Sequence, residues 1–298
     1  MTFLNLLRTA GAVALASILP LSPASATLAA GLPEGQIQDK PPSLSWRTLK
    51  YRTDAKRKFD YHPSGRSTAT PLVVFVEGVA GLEDTPRYPA DWLPSLLLDK
   101  GYALASVYGL PGRRETAPEQ LDAMAQGISE LIARAGELGF DPERVFLVGS
   151  GWGGGLAALI GADPLVLQRK GVQFAAVRGV AAIDGRGFDV PALSAAGSDF
   201  LRKDIARWIG DAETQQRLSA AHHLSKPNAA RFCVLAVEGG REAPSQAENF
   251  VAKLHASDVP VTSVAVKPAK WKSPETFIGN PNNPDNAPLL GCMEEALR

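Results

Sequence analysis

An open, mostly parallel β-sheet with helices on both faces is the fold class this sequence predicts, and three observations carry it. Apolar runs of strand length recur along the chain. Stretches with helical spacing separate them, and that alternation implies an α/β architecture built from crossover units. One run, finally, feeds straight into a glycine-rich turn and an apolar helix, Arg144–Gly161, with the sequence RVFLVGSGWGGGLAALIG.

Trp46 to Tyr61, with mixed charge and scattered aromatics, predicts one or two short edge strands, and His62-Pro63-Ser64-Gly65 reads as a turn. Pro71 to Val76 is continuously apolar, as a strand covered on both faces must be. Asp91 to Lys100 has Trp92, Leu93, Leu96 and Leu97 at helical spacing and ends at Gly101. Tyr102 to Tyr108 is the next strand, and Pro118 to Leu138 a longer amphipathic helix closed by Gly139. The turn region then supplies a strand over Val145–Val148 and a helix from near Gly155. Further on, strands are expected over Val177–Ile183, Phe232–Val237 and Val261–Val266. Helices are expected over Phe200–Trp208, Glu213–Ala220, Ser245–Ala256 and Leu289–Leu297.

The 298 residues, 45% hydrophobic and 21% charged, can bury a sizeable core. Lys plus Arg equals Asp plus Glu at 31 each, which gives no electrostatic footprint for nucleic acid and no polybasic membrane patch. Neutrality leaves small ligands and protein partners open. Residues 1–26 carry Arg8, an apolar run from Ala10 to Leu21, and Ala24-Ser25-Ala26, the pattern of a secretory signal peptide. The run is short for a membrane span, so export to the periplasm or beyond, with no stable anchor after cleavage, is the expectation. An uncleaved anchor is the alternative. Residues 27–45 read as a flexible lead-in, and 46–298 as one domain. Export would permit a disulfide between Cys233 and Cys292, although either could equally be a small buried hydrophobe.

The turn carries the chemistry. In Gly-x-Ser-x-Gly, a serine is held on a sharp bend between strand and helix. Only Gly149-Ser150-Gly151-Trp152-Gly153 has small residues on both sides of its apex, and that apex is Gly151. Placing Ser150 at the apex would put Val148 and Trp152 at flanks with little room. The same glycines fit G-x-G-x-x-G formally, but no acidic residue follows at the ribose-binding distance. Neither the adjacent His222 and His223 nor the two distant cysteines has zinc-ligand spacing, so no metal or cofactor is expected.

Several collinear pieces belong together: PLVVFVEG, DKGYALASVYGLPG, LGFDPERVFLVGSGWGGGLAAL, IGDAETQQRLSAAHHLSK, VLAVEGGREAPSQAENFVAKLHASDVPV and FIGNPNNPDN. The set resembles the α/β-hydrolase superfamily, and within it the secreted esterase and formamidase-like group. The resemblance implies an α/β-hydrolase fold and hydrolysis of small esters or amides. It places the nucleophile on Gly151 and the acid around Gly240 to Glu242, with Glu242 the only carboxylate in reach. The histidine position falls on Trp271, flanked by Lys270 and Lys272, and the oxyanion loop on Glu77-Gly78-Val79.

Glycine has no hydroxyl and indole nitrogen accepts no proton, so neither can do the work of a nucleophile or base. A carboxylate at the oxyanion loop would oppose the charge that develops there. The expectation is therefore a fold without its triad, acting by binding in a pocket around Glu77, Gly78, Gly151, Trp152 and Trp271. Two alternatives stay open. One is an active hydrolase with Ser150 as nucleophile, Glu242 as acid and His222 or His223 as base; the other is a scaffold for envelope interactions.

Overall fold

A computed structural model describes residues 44–78, 92–109, 115–225, 227–238, 243–266 and 278–298. The expected signal peptide and most of the lead-in lie outside these residues, as do Glu242, Lys270, Trp271 and Lys272.

Eight strands form one sheet in the order β1-β2-β4-β3-β5-β6-β7-β8. The strands are β1 (Arg47–Lys50), β2 (Lys58–His62), β3 (Thr70–Glu77), β4 (Ala103–Tyr108), β5 (Phe140–Ser150), β6 (Val177–Ile183), β7 (Arg231–Val237) and β8 (Val261–Val266). β1 with β2 and β2 with β4 are antiparallel; every other pairing is parallel. Trp46 to Tyr61 thus gives two strands, of which only β1 is an edge.

The apolar runs mark the centre of the sheet. Leu72 to Val76 and Val145 to Val148 have no solvent exposure, because helices cover both faces. On one face pack α2 (Ala117–Ala133), α4 (Gly151–Ala162) and α9 (Ala243–Ala256), with Met124, Ile128, Leu159 and Phe250 in its core. On the other lie α1 (Leu93–Asp99) and α10 (Asn286–Leu297), with Leu93, Leu97, Leu289 and Met293. Cys233 of β7 and Cys292 of α10 are disulfide-bonded across this second face, 59 residues apart in sequence. Closing such a loop is worth about 4 kcal/mol in the chain-entropy account.

Boundaries moved where glycine and proline are ambiguous. The expected single helix from Pro118 to Leu138 breaks at Arg134, leaving α2 and a separate turn α3 (Ala135–Leu138) that ends on left-handed Gly139. α2 begins with a capping box, in which the Thr116 N–H donates to Glu119 Oε2. Two helices went unseen: α5 (Pro164–Gln168) and α6 (Val190–Ala196). Pro164 and Pro191 look like breakers but sit in first turns, where no N–H is lost, behind the capping carboxylates Asp163 and Asp189. After α6 come α7 (Asp199–Trp208) and α8 (Ala212–Arg217).

Candidate functional site

The elbow is built by glycines that cannot be anything else. A Cβ on Gly149 would lie 2.2 Å from the carbonyl oxygen of Gly153, and one on Gly153 would lie 2.3 Å from that of Val76. One on Gly78 would meet the Gly153 nitrogen at 2.1 Å, so the end of β3 rests directly on the first turn of α4. Gly151 differs from all three. Its φ is +52°, a left-handed turn between strand and helix, and a Cβ there would meet nothing within 4 Å. Gly151 is therefore the apex, closed by glycine on both flanks and open above.

The helix starts at this apex and not near Gly155. Low intrinsic helix propensity hid Gly153, Gly154 and Gly155 as turn residues. Packing requires them instead: a Cβ on Gly155 would come within 2.0 Å of the Arg186 carbonyl oxygen. Ser150 is the last residue of β5, extended at φ −120°, with its Cα opposite Ile183 of β6. Its side chain makes no capping bond to α4.

His222 and His223 belong to a neck where the chain from α6 to α8 leaves and rejoins the body. There the Ala221 N–H donates to the Phe188 carbonyl oxygen and the Val190 N–H to Ser219 Oγ, both at 2.9 Å. His222 Nε2 lies 3.5 Å from Asp189 Oδ1. His223 Nε2 is 2.9 Å from the Arg217 carbonyl oxygen, and its Nδ1 is 3.8 Å from Asp163 Oδ2. Asp163 follows the last residue of α4, a 12-residue helix, so it stands about 18 Å along the axis from the apex. Asp189 also accepts from Lys253 Nζ at 3.0 Å and from the Ala192 N–H. Burial alone would raise its pKa, but these bonds, the Lys253 charge and the His222 contact hold its carboxyl below the usual aspartate value.

Glu77, at the end of β3, is buried and accepts a hydrogen bond from Ser106 Oγ on β4. Trp152 follows the apex. Its ring covers Gly187, where a Cβ would sit 2.4 Å from the indole, and meets Trp208 of α7 edge-on at 5.1 Å between centroids. These two indoles, with Leu156, Val190, Ile209 and Leu218, line an apolar cleft beside the elbow. The loop after β6 closes one side: the Arg186 N–H donates to the Gly151 carbonyl oxygen at 2.9 Å, and exposed Arg186 lines the cleft. Asp184, where this loop begins, holds φ +48°, a costly conformation for a non-glycine residue.

Of the expected pocket residues, then, Glu77, Gly78, Gly151 and Trp152 gather at the carboxyl ends of β3 and β5. Ser150 ends β5 next to the apex, and both histidines are engaged at the neck. Arg186 and Trp208 were missed. The rule that α/β sheets bind ligands outside the carboxyl ends of their strands would have directed attention to the loop after β6. Among the described residues no group of three or more His, Cys, Asp or Glu could hold a metal ion, and no helix is long and apolar enough to cross a membrane.

Solved structures support the same frame. Esterase B from Lactobacillus rhamnosis aligns with a TM-score of 0.68 at 17% identity, over 86% of this chain and 87% of that one. A truncated carbohydrate esterase from gut microbiota aligns at 0.66 and 18%, over 76% and 90%. A lipase/esterase from Lactobacillus plantarum aligns at 0.63 and 14%, over 86% and 100%. No curated protein matches the sequence. The BD-FAE family model matches residues 60–223, from β2 through the elbow to the neck and more than half of the 298 residues. On a sheet that superposes on those of esterases, that span makes this chain a member of the BD-FAE family, within the α/β-hydrolase superfamily.

Proposed function

We propose that this protein uses the esterase frame to bind a small ligand and not to cleave an ester. The observation that carries the reading is Gly151. Of the glycines in the turn, Gly151 is the one where a Cβ would meet nothing, so its apex has room for a side chain and holds a residue without one, while the two flanks keep the glycines the turn needs. Acyl transfer requires a nucleophile there and a base within hydrogen-bond reach of it. His223 is tied at the far end of α4, and His222 is turned to Asp189. What remains at the apex is an opening bordered by Trp152, suited to contact. The disulfide between Cys233 and Cys292 supports the reading of the first 26 residues as an export signal, since such bonds persist in oxidising compartments.

The test is turnover of short p-nitrophenyl esters by the purified mature protein, beside its Ser150→Ala variant. The expected result is hydrolysis no faster than buffer for both. Turnover that disappears with Ser150→Ala would establish the opposite, an active hydrolase with a displaced serine.

A further inference from the structure

The two edges of the sheet are finished differently. β1, at one edge, has four residues, and Arg47 and Lys50 stand exposed at its ends. Charged side chains on an edge strand guard it against pairing with another chain. β8, at the other edge, has six residues, Val261–Val266, with no charge, proline or glycine among them. It pairs with β7, and no described residue hydrogen-bonds to its outer side. The backbone groups on that side are a template for a further strand.

Helix α9, which packs over β7 and β8, points to the kind of strand that fits. Lys253 donates to Asp189, and Gln246 exchanges hydrogen bonds with the Asp189 backbone, so one side of α9 is turned toward the loop after β6. Glu248, Val251 and His255 lie on the opposite side, at i, i+3 and i+7, and therefore face outward past β8. Glu248 and His255 are exposed and Val251 is half-buried. Turned by a two-fold axis, this stripe complements itself: valine meets valine, and each Glu248 meets His255 of the other copy. Two copies of α9 would then lie about two strand spacings apart, roughly 10 Å, which is a helix-packing distance. A formal net charge of zero sets up no overall repulsion between copies.

We infer that β8 is a dimer interface: it pairs antiparallel with β8 of a second copy about a two-fold axis, joining two eight-stranded sheets into one, with α9 against α9 on one face. This holds whether or not the elbow cleaves anything. The pleat fixes which side chains meet. Val264 and Val266 pack into the core on the α10 face, so the exposed Ser263 and Ala265 belong to the α9 face. With Val264 on the axis, Ser263 of each copy stands opposite Ala265 of the other, and both are small enough to let the strands and helices close.

The experiment measures the mass of the mature protein by sedimentation equilibrium over a range of micromolar concentrations. The expected mass is that of two chains. Ser263→Lys with Ala265→Lys sets like charges opposite each other across the axis and should weaken the dimer about a hundredfold. Ser263→Glu with Ala265→Lys alters the same two exposed positions but sets opposite charges across the axis, so it should keep the dimer. Hydrogen exchange on the unaltered protein gives a second readout that needs no variant: β8 amides should lose protection on dilution while those of β5 do not. The mass of one chain throughout would overturn the inference, and β8 amides protected in that monomer would show that another segment of the chain covers the edge. A dimer that survives the lysine pair, or is weakened equally by both double variants, would overturn it as well.

Discussion

The two ends of α4 are held in opposite ways. At its start the elbow is fixed by backbone against backbone: β3 rests on the first turn through Gly78 and Gly153, and the Arg186 N–H reaches the Gly151 carbonyl oxygen. Near its finish and at the adjoining neck, polar side chains hold the chain, with His223 on Arg217 and Asp163, and Asp189 shared by Lys253, Ala192 and His222. The residue types that hydrolysis would recruit to the first place are at work in the second. The shape of the elbow therefore depends on glycine packing at its flanks and not on any side chain at its apex.

The largest effect should come from breaking the backbone-built end. Gly153→Ala places a Cβ 2.3 Å from the Val76 carbonyl oxygen and 2.7 Å from the Gly78 nitrogen, with no flexible side chain to give way. Chemical denaturation should show a loss upwards of about 4 kcal/mol, or no folded protein. The side-chain-built end should be softer. Asp189→Ala removes the cap of α6 and the partner of Lys253, at a cost of about 2 kcal/mol at neutral pH. Its pH dependence has a definite sign. A carboxyl held below its ordinary value in the fold contributes stability above pH about 4, and that contribution is lost as acid lowers the pH through the folded value. The gap between wild type and Asp189→Ala, read by thermal unfolding, should therefore close on the acid side.

Gly151→Ala should cost only about 1 kcal/mol, since its φ is left-handed but the space above is empty. Set beside Gly153→Ala, two residues away, it tests whether apex and flank differ as described. The smallest effects belong to the histidines: His222→Gln and His223→Gln should each change stability by less than about 1 kcal/mol. Both should leave any background ester turnover where it was, which a base acting on Ser150 could not do.

Much of the frame was legible in the sequence because burial on both faces writes itself as unbroken apolar runs, as in Leu72–Val76, and the expected bounds of β6 and of the partly exposed edge strand β8 match those observed. The apex was legible too, through the spacing of Gly149, Gly151 and Gly153. Less legible was what depends on contacts distant in sequence. Nothing local marks Gly153 to Gly155 as helix, since the reason is the approach of Val76 and Arg186. Nor does the sequence pair His222 with Asp189, or bring Trp208 onto Trp152 across 56 positions. Pro164 and Pro191 needed their capping aspartates to be read as beginnings.

The central claim, that the elbow no longer holds a nucleophile, is tested most directly by incubating the folded mature protein with a fluorophosphonate probe and mapping adducts by mass spectrometry. The account predicts no adduct at Ser150 under conditions that saturate an active serine esterase. Stoichiometric labelling of Ser150, abolished in Ser150→Ala, would contradict it.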